Sequence, residues 1–157
     1  MRRTDRQVNN IGEILDIINN CKVCRIAIND VKAPYIVPLN FGYSYENNEL
    51  TLYFHCAKQG KKIDLIKACS NVSFEMDCNH QLIKAAEACK YGYAYASVIG
   101  YGSIQFVDNY EQKVAGLNAI MKQHTGKNFE FNIKAVNNIH VLKLVVSDFT
   151  AKSKKIN

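Results

Sequence analysis

No stretch of this sequence approaches the roughly 20 consecutive apolar residues that carry a helix across a bilayer. Nor does an apolar segment follow its first residues, where Arg2, Arg3, Asp5 and Arg6 run directly into Asn9 and Asn10. We therefore expect no signal peptide, no membrane contact and a cytoplasmic protein. Gly-x-Ser-x-Gly and His-Glu-x-x-His are both missing, so hydrolase and metalloenzyme readings have no motif behind them. Paired metal-binding cysteines are missing too. Of the six cysteines only Cys21 and Cys24 form a Cys-x-x-Cys, and Cys56, Cys69, Cys78 and Cys89 offer no second pair to complete a tetrahedral zinc site. A redox dithiol of the thioredoxin kind opens a helix, whereas this pair follows a helical pattern and precedes a strand. Buried structural thiols and no metal are the expectation.

A basic arm is also lacking. The formal net charge is +6, but the lysines are dispersed and no array of Arg or Lys with aromatics recurs, so nucleic acid is not an expected partner. A basic ligand pocket accounts for the same charge. With 157 residues, 48% of them apolar, the chain suffices for one well-formed core, and we expect a single domain over residues 1–157.

Helical spacing of Ile11, Ile14, Leu15 and Ile18 predicts a helix over Ile11–Asn20, with Asn9-Asn10 as its cap. A strand Cys24–Ile28, a loop Asn29–Pro34 and a strand Tyr35–Tyr43 follow, the last interrupted at Pro38, which argues against a regular central position. Glu46-Asn-Asn-Glu49 supplies hairpin chemistry. Leu50, Leu52 and Phe54 then alternate with Thr51 and Tyr53 along a strand expected to stop at His55. Further along we expect a helix Lys61–Cys69 with Ile63 and Ile66 inward, and a strand Asn71–Met76. A possible helical piece Gln81–Cys89 comes next, then Tyr91, Tyr93 and Tyr95 on one strand face. A long strand Ala96–Val107 is bent or bulged at Gly100 and Gly102. A helix Tyr110–His124 ended by Gly126 should cover the barrel without contributing chemistry. A strand His140–Val146 and a solvated basic tail Ala151–Asn157 complete the chain. Six or so strands without regular β-α-β alternation predict a mainly β, α+β fold: a closed or nearly closed antiparallel barrel with peripheral helices.

Chemistry concentrates after His55. There Gly60 permits close approach of backbone N–H groups, Lys58, Lys61 and Lys62 supply cations, and a new helix turns its positive end outward. Phosphate is the ligand that uses all three, although the same residues also describe a solvated loop before an amphipathic helix. It is not a Walker loop, because the glycine spacing and the Lys-Ser/Thr ending are missing. Around Pro38, Leu39, Asn40 and Phe41 the interrupted strand either frees backbone groups for a ligand or is a plain edge strand. His55 is read as an electrophile or proton donor, or as a residue that only shapes the pocket. His80, His124 and His140 show no partner in the sequence and read as surface or packing residues.

The segments Tyr35–Tyr43, Tyr53–Ile66, Val72–Met76 and Ser97–Gly102, with the Arg2–Arg6 opening, resemble the nitroimidazole-resistance (Nim) family of pyridoxamine 5′-phosphate oxidase-like flavoproteins. That resemblance covers nearly the whole chain. It implies an FMN-binding split β-barrel and a homodimer with each flavin mononucleotide (FMN) in a groove between subunits. It also implies phosphate contacts from Gly60, Lys61 and Lys62, with Lys58 as an addition, ring contacts from Pro38, Leu39, Asn40 and Phe41, and a contribution from Ser97 of the second subunit. The implied function is an FMN-dependent oxidoreductase passing electrons to a small-molecule acceptor such as a 5-nitroimidazole. The alternative is a flavin- or haem-binding storage or sensor protein without turnover. Vitamin B6 oxidation is not expected, because Phe149–Lys155 lacks the basic and aromatic residues that hold a second phosphate in those oxidases.

Overall fold

Element boundaries follow from local chemistry in a computed structural model that describes residues 3–156. Arg2 of the Arg2–Arg6 stretch and Asn157 of the tail lie outside the described residues. In chain order the elements are β1 (Gln7–Val8), α1 (Ile11–Asn20), β2 (Cys24–Ile28), β3 (Tyr35–Leu39), β4 (Gly42–Glu46), β5 (Glu49–Ala57), α2 (Lys61–Ala68), β6 (Asn71–Ile83), β7 (Gly92–Val107), α3 (Tyr110–Thr125), α4 (Ile133–Asn137) and β8 (Ile139–Lys154). Asn10 starts α1 by accepting the Glu13 N–H at 3.1 Å, which satisfies one of the donors a helix start leaves free. Ile14, Ile17 and Ile18 of α1 are buried. Asn47 and Asn48 turn β4 into β5 with φ of 52° and 65°, the left-handed pair that a two-residue hairpin of matching twist requires. Gly126 ends α3 at φ 74°, its N–H donating to Lys122 O at 2.9 Å.

All eight strands lie in one antiparallel sheet of order β3-β2-β6-β7-β8-β5-β4, with β1 paired to the far end of β8. Strands β3 and β4 are consecutive in the chain yet occupy opposite ends of this path. Only Asn40 and Phe41 separate them, a link of at most about 11 Å from Leu39 to Gly42. The two edges must therefore approach one another, and the sheet curls into a barrel whose seam is closed by the covalent chain instead of by a ladder. Phe41, Leu52, Phe54, Phe74, Ile26 and Leu142 fill its interior. A second, smaller cluster, Val107, Leu117, Ile120, Val136 and Val141, packs α3 and α4 against the outside of β5 and β8.

Close approach explains two glycines. A Cβ at Gly102, where the β7–β8 register shifts, would stand 2.1 Å from Val145 O. At Gly42 it would stand 2.1 Å from the Ala119 carbonyl carbon, so α3 crosses β4 backbone to backbone. Gly42→Ala is expected to cost about 1–3 kcal/mol. A lowered midpoint in a urea titration would register it, whereas an unchanged midpoint would mean that α3 moves away freely.

Several sequence expectations need correction. Tyr35–Tyr43 is two strands on opposite edges, broken at Asn40-Phe41. Strand β5 does not stop at His55 but runs to Ala57, since its pairing with β8 continues to Ala57↔Ile139. Gln81–Cys89 is not one helix: β6 passes a bulge at Asn79, φ 59°, and pairs with β7 through Ile83, and only Ala88 and Cys89 enter a 3-10 turn, Ala88–Lys90. The tail is not solvated up to Lys154, because Ala151 is buried and β8 continues between β1 and β7. Helix α4 was not expected.

Candidate functional site

Gly60 adopts φ 130° and ψ 162°, a conformation closed to residues with a side chain. It sets the start of α2: Ile63 N–H and Asp64 N–H both return to Gly60 O, at 2.8 and 3.3 Å. The N–H groups of Lys61 and Lys62 are left without a helical acceptor. Asparagine side chains cap α1, α3 and α4, whereas among the described residues no side chain caps α2. A Cβ placed at Gly60 would meet nothing within 4 Å, so this start faces open space.

Lys61 reaches across to the β2–β3 loop. Its Nζ lies 2.6 Å from Asp30 Oδ2 and 5.0 Å from the centre of the Tyr35 ring. Hydrogen bonding from Lys61, followed by that from the Val31 N–H, holds the Asp30 carboxyl below the usual carboxylate range. The phosphate-loop candidate is thereby tied to the first residue of β3. That strand pairs with β2 along one edge only, and Pro38 sits where an edge strand tolerates a missing N–H. From Tyr35 to Leu39 the strand extends roughly 13 Å. At its far end Asn40 donates to Lys22 O at 3.1 Å. The Phe41 side chain is buried in the barrel, which leaves its backbone as the part able to meet a ligand.

The remaining expected residues divide. The charge of Lys58 is felt at His140, and that of Lys62 at His55 and Cys56. Ser97 lies on the outer face of β7, paired with Asp77 and Lys152, and two strands, β2 and β6, separate it from β3. Within one chain it does not join the seam.

His55 alternates with Phe54 and Cys56 and so faces out of the barrel. There it lines an apolar cavity of about 340 Å³ with Leu117, Ile120 and Met121 of α3, Val136 of α4 and Phe131. Helix α3, expected only to cover the barrel, forms a wall of this cavity. Burial first, and then the charge of Lys62, holds His55 below its ordinary value, so the imidazole is neutral at pH 7 and can donate one hydrogen bond and accept another. A larger cavity of about 480 Å³ lies on the outer sheet face, lined by neutral groups including Asn29, Ser73 and Ser147. With no cation among its lining residues it does not suit a phosphate.

Two histidines have neighbours the sequence concealed. His80 Nε2 lies 2.7 Å from Asp77 Oδ2, and His140 stands edge-to-face with Phe106 at 4.9 Å. Among the described residues no cluster of His, Cys, Asp and Glu could hold a metal, and no helix is long and apolar enough to cross a membrane.

A curled antiparallel barrel with an uncapped, lysine-flanked helix start beside its seam is the split barrel of the pyridoxamine 5′-phosphate oxidases. The sequence profile of that family matches residues 10–153, and the chain belongs to it. The chain is similar to the crystal structure of a candidate 5-nitroimidazole antibiotic resistance protein from Bacteroides thetaiotaomicron, at 32% identity over 94% of this chain and 86% of that one, TM-score 0.80. A flavocytochrome from Azotobacter vinelandii shares the fold at 12% identity over 99% and 72% of the two chains, TM-score 0.79. An FAD and haem binding protein from Mycobacterium smegmatis does so at 13% identity over 96% and 74%, TM-score 0.80. No curated protein matches the sequence.

Proposed function

We propose that this protein is an FMN-dependent oxidoreductase that passes electrons to small organic acceptors, 5-nitroimidazoles among them. The observation that carries the reading is the start of α2, where a positive-φ glycine and backbone N–H groups without a helical acceptor stand next to Lys61, whose side chain reaches the first residue of β3. Family membership and the 32% identical resistance protein supply the ligand class that fits it. Lys61 and Lys62 would hold the phosphate, with Lys58 on the same loop. Backbone from Pro38, Leu39, Asn40 and Phe41 would meet the polar edge of the ring, and His55 would face the acceptor. Bound flavin would supply the electron transfer, while the protein supplies position and hydrogen bonds. A visible spectrum of the purified protein reconstituted with FMN tests the reading directly: flavin bands retained after gel filtration support it, and failure to bind FMN or FAD at micromolar concentration removes it.

The same reading includes a homodimer. Ile99, Tyr101 and Tyr93 of β7 and Ile36 of β3 project from the outer sheet face about half exposed, an apolar and aromatic surface of the composition that interface centres favour. Ile99 lies two residues along the same strand face from Ser97, which would reach a flavin site only if a second chain brought it there. Ile99→Arg is expected to move the dimer–monomer equilibrium toward monomer by about tenfold or more, with circular dichroism unchanged. Wild type sedimenting as a monomer while holding flavin would remove the dimer from the proposal.

A further inference from the structure

Helix α1 ends at Asn20 without the usual means of closing a helix. Its cap is Cys21 in extended conformation, φ −73° and ψ 140°, and its last turn carries no basic side chain, so its final carbonyls need donors from outside. Gln123, in the last turn of α3, supplies them. Its side-chain amide donates to Ile18 O at 2.8 Å, Cys21 O at 3.0 Å and Asn19 O at 3.2 Å, two N–H groups shared among three acceptors. Lys22 makes the return tie, its Nζ donating to Asn19 O and to the Gln123 backbone O, both at 3.2 Å. The passage from β3 to β4 hangs on this same segment. Lys22 O accepts from Asn40 Nδ2 at 3.1 Å, and Asn19 Oδ1 accepts from the Tyr43 hydroxyl at 3.0 Å. The helix that carries Gln123 also walls the His55 cavity, through Leu117, Ile120 and Met121.

We infer that Gln123 is a positioning residue: through the carboxyl end of α1 it fixes the Asn40-Phe41 crossing to the helix that walls the His55 cavity. With its amide in place, the Lys22 carbonyl is a fixed acceptor for Asn40. Without it, the Ile18, Asn19 and Cys21 carbonyls lose a common donor and Lys22 is free to shift, taking Asn40 with it. That the crossing meets a flavin ring rests on the reading proposed above; the tether does not. Under that reading one helix sets the placement of the ring edge along Pro38–Phe41 relative to an acceptor beside His55, where a small misplacement is costly to the rate.

Amide hydrogen exchange, followed by mass spectrometry on the whole protein, tests the tether without any ligand. Gln123→Met removes the donors at similar side-chain volume, and Asn40→Ala removes the last link. Each should raise exchange of the Tyr35–Tyr43 amides by about tenfold, the scale of a lost hydrogen bond, while the amides of β6 and β7 keep their wild-type rates. Because both substitutions break one chain of contacts, the double variant should exchange no faster than Gln123→Met alone. Unchanged exchange at Tyr35–Tyr43, an equal rise throughout β6 and β7, or effects that multiply in the double variant would overturn the inference. If Gln123→Met does not fold, Asn40→Ala decides by the same exchange reading. Titration with FMN then reads the positioning: Gln123→Met should bind it about tenfold more weakly and shift the visible flavin band. Affinity and band both unmoved, in a variant whose exchange has risen, would overturn the positioning role. Wild type that takes up no flavin would remove the flavin reading and leave the tether standing on the exchange result.

Discussion

Replacing Lys61 and Lys62 together with Ala is expected to weaken FMN binding by about 2–5 kcal/mol, from roughly 1.5–3 kcal/mol for each charge-assisted hydrogen bond and incomplete additivity. The structure favours the lower part of that range. Lys61 already holds Asp30 at 2.6 Å with its side chain 58% exposed, so a phosphate must share this cation with a carboxylate and with water. The backbone N–H groups at the start of α2 survive the double substitution and retain part of the site. Quenching of flavin fluorescence, titrated on both proteins at one ionic strength, measures the difference. Equal affinities would place the phosphate elsewhere.

The second large effect is expected at His55. If this imidazole hydrogen-bonds or protonates an acceptor, His55→Ala and His55→Gln should slow acceptor reduction by about 10²-fold or more, while FMN affinity stays within a few-fold. Anaerobic reoxidation of the reduced protein by a nitroimidazole, followed by stopped flow, reads the rate. Should flavin affinity fall together with turnover, His55 shapes the pocket and does no more. Wild type and variants reoxidising at the rate of free reduced flavin would make the protein a binder without turnover. The pH profile adds a further check. Because burial and Lys62 lower the His55 value from 6.5, the neutral imidazole should dominate from pH 7 upward and the rate should be flat there. Any change belongs on the acid side of pH 6.5, and a rise on acidification would identify the imidazolium as the donor.

Local chemistry in the sequence reveals those parts of the fold that local chemistry builds. Asn10, Gly126 and the Asn47-Asn48 turn act through atoms two to four residues away, so α1, the end of α3 and the β4–β5 hairpin lie where the pattern predicts. The seam was hidden because apolar and polar residues continue to alternate through Asn40-Phe41, and only long-range pairing shows that the chain changes edges there. In the tail, Ala151 is the one buried residue among Lys152, Ser153 and Lys154, too little pattern to predict sixteen residues of β8. The five-residue α4 is shorter than two helical turns and carries no period to read. The site divides in the same way. Gly60, Lys61 and Lys62 are neighbours in sequence and can be picked out as a candidate together, whereas Asp30 and Tyr35 come beside Lys61 only through the folded chain.

The two-residue passage from β3 to β4 also bears on how the barrel breathes. Every other joint around its wall is a ladder whose rungs must break together, but this one has no rungs. Local opening should begin there, at a free energy well below that of global unfolding, with β3 swinging on Asn40-Phe41 while β2 keeps its own pairing to β6. The barrel thus contains a slot whose width is set by torsion of two residues, and whatever lies along β3 would act as the missing rungs.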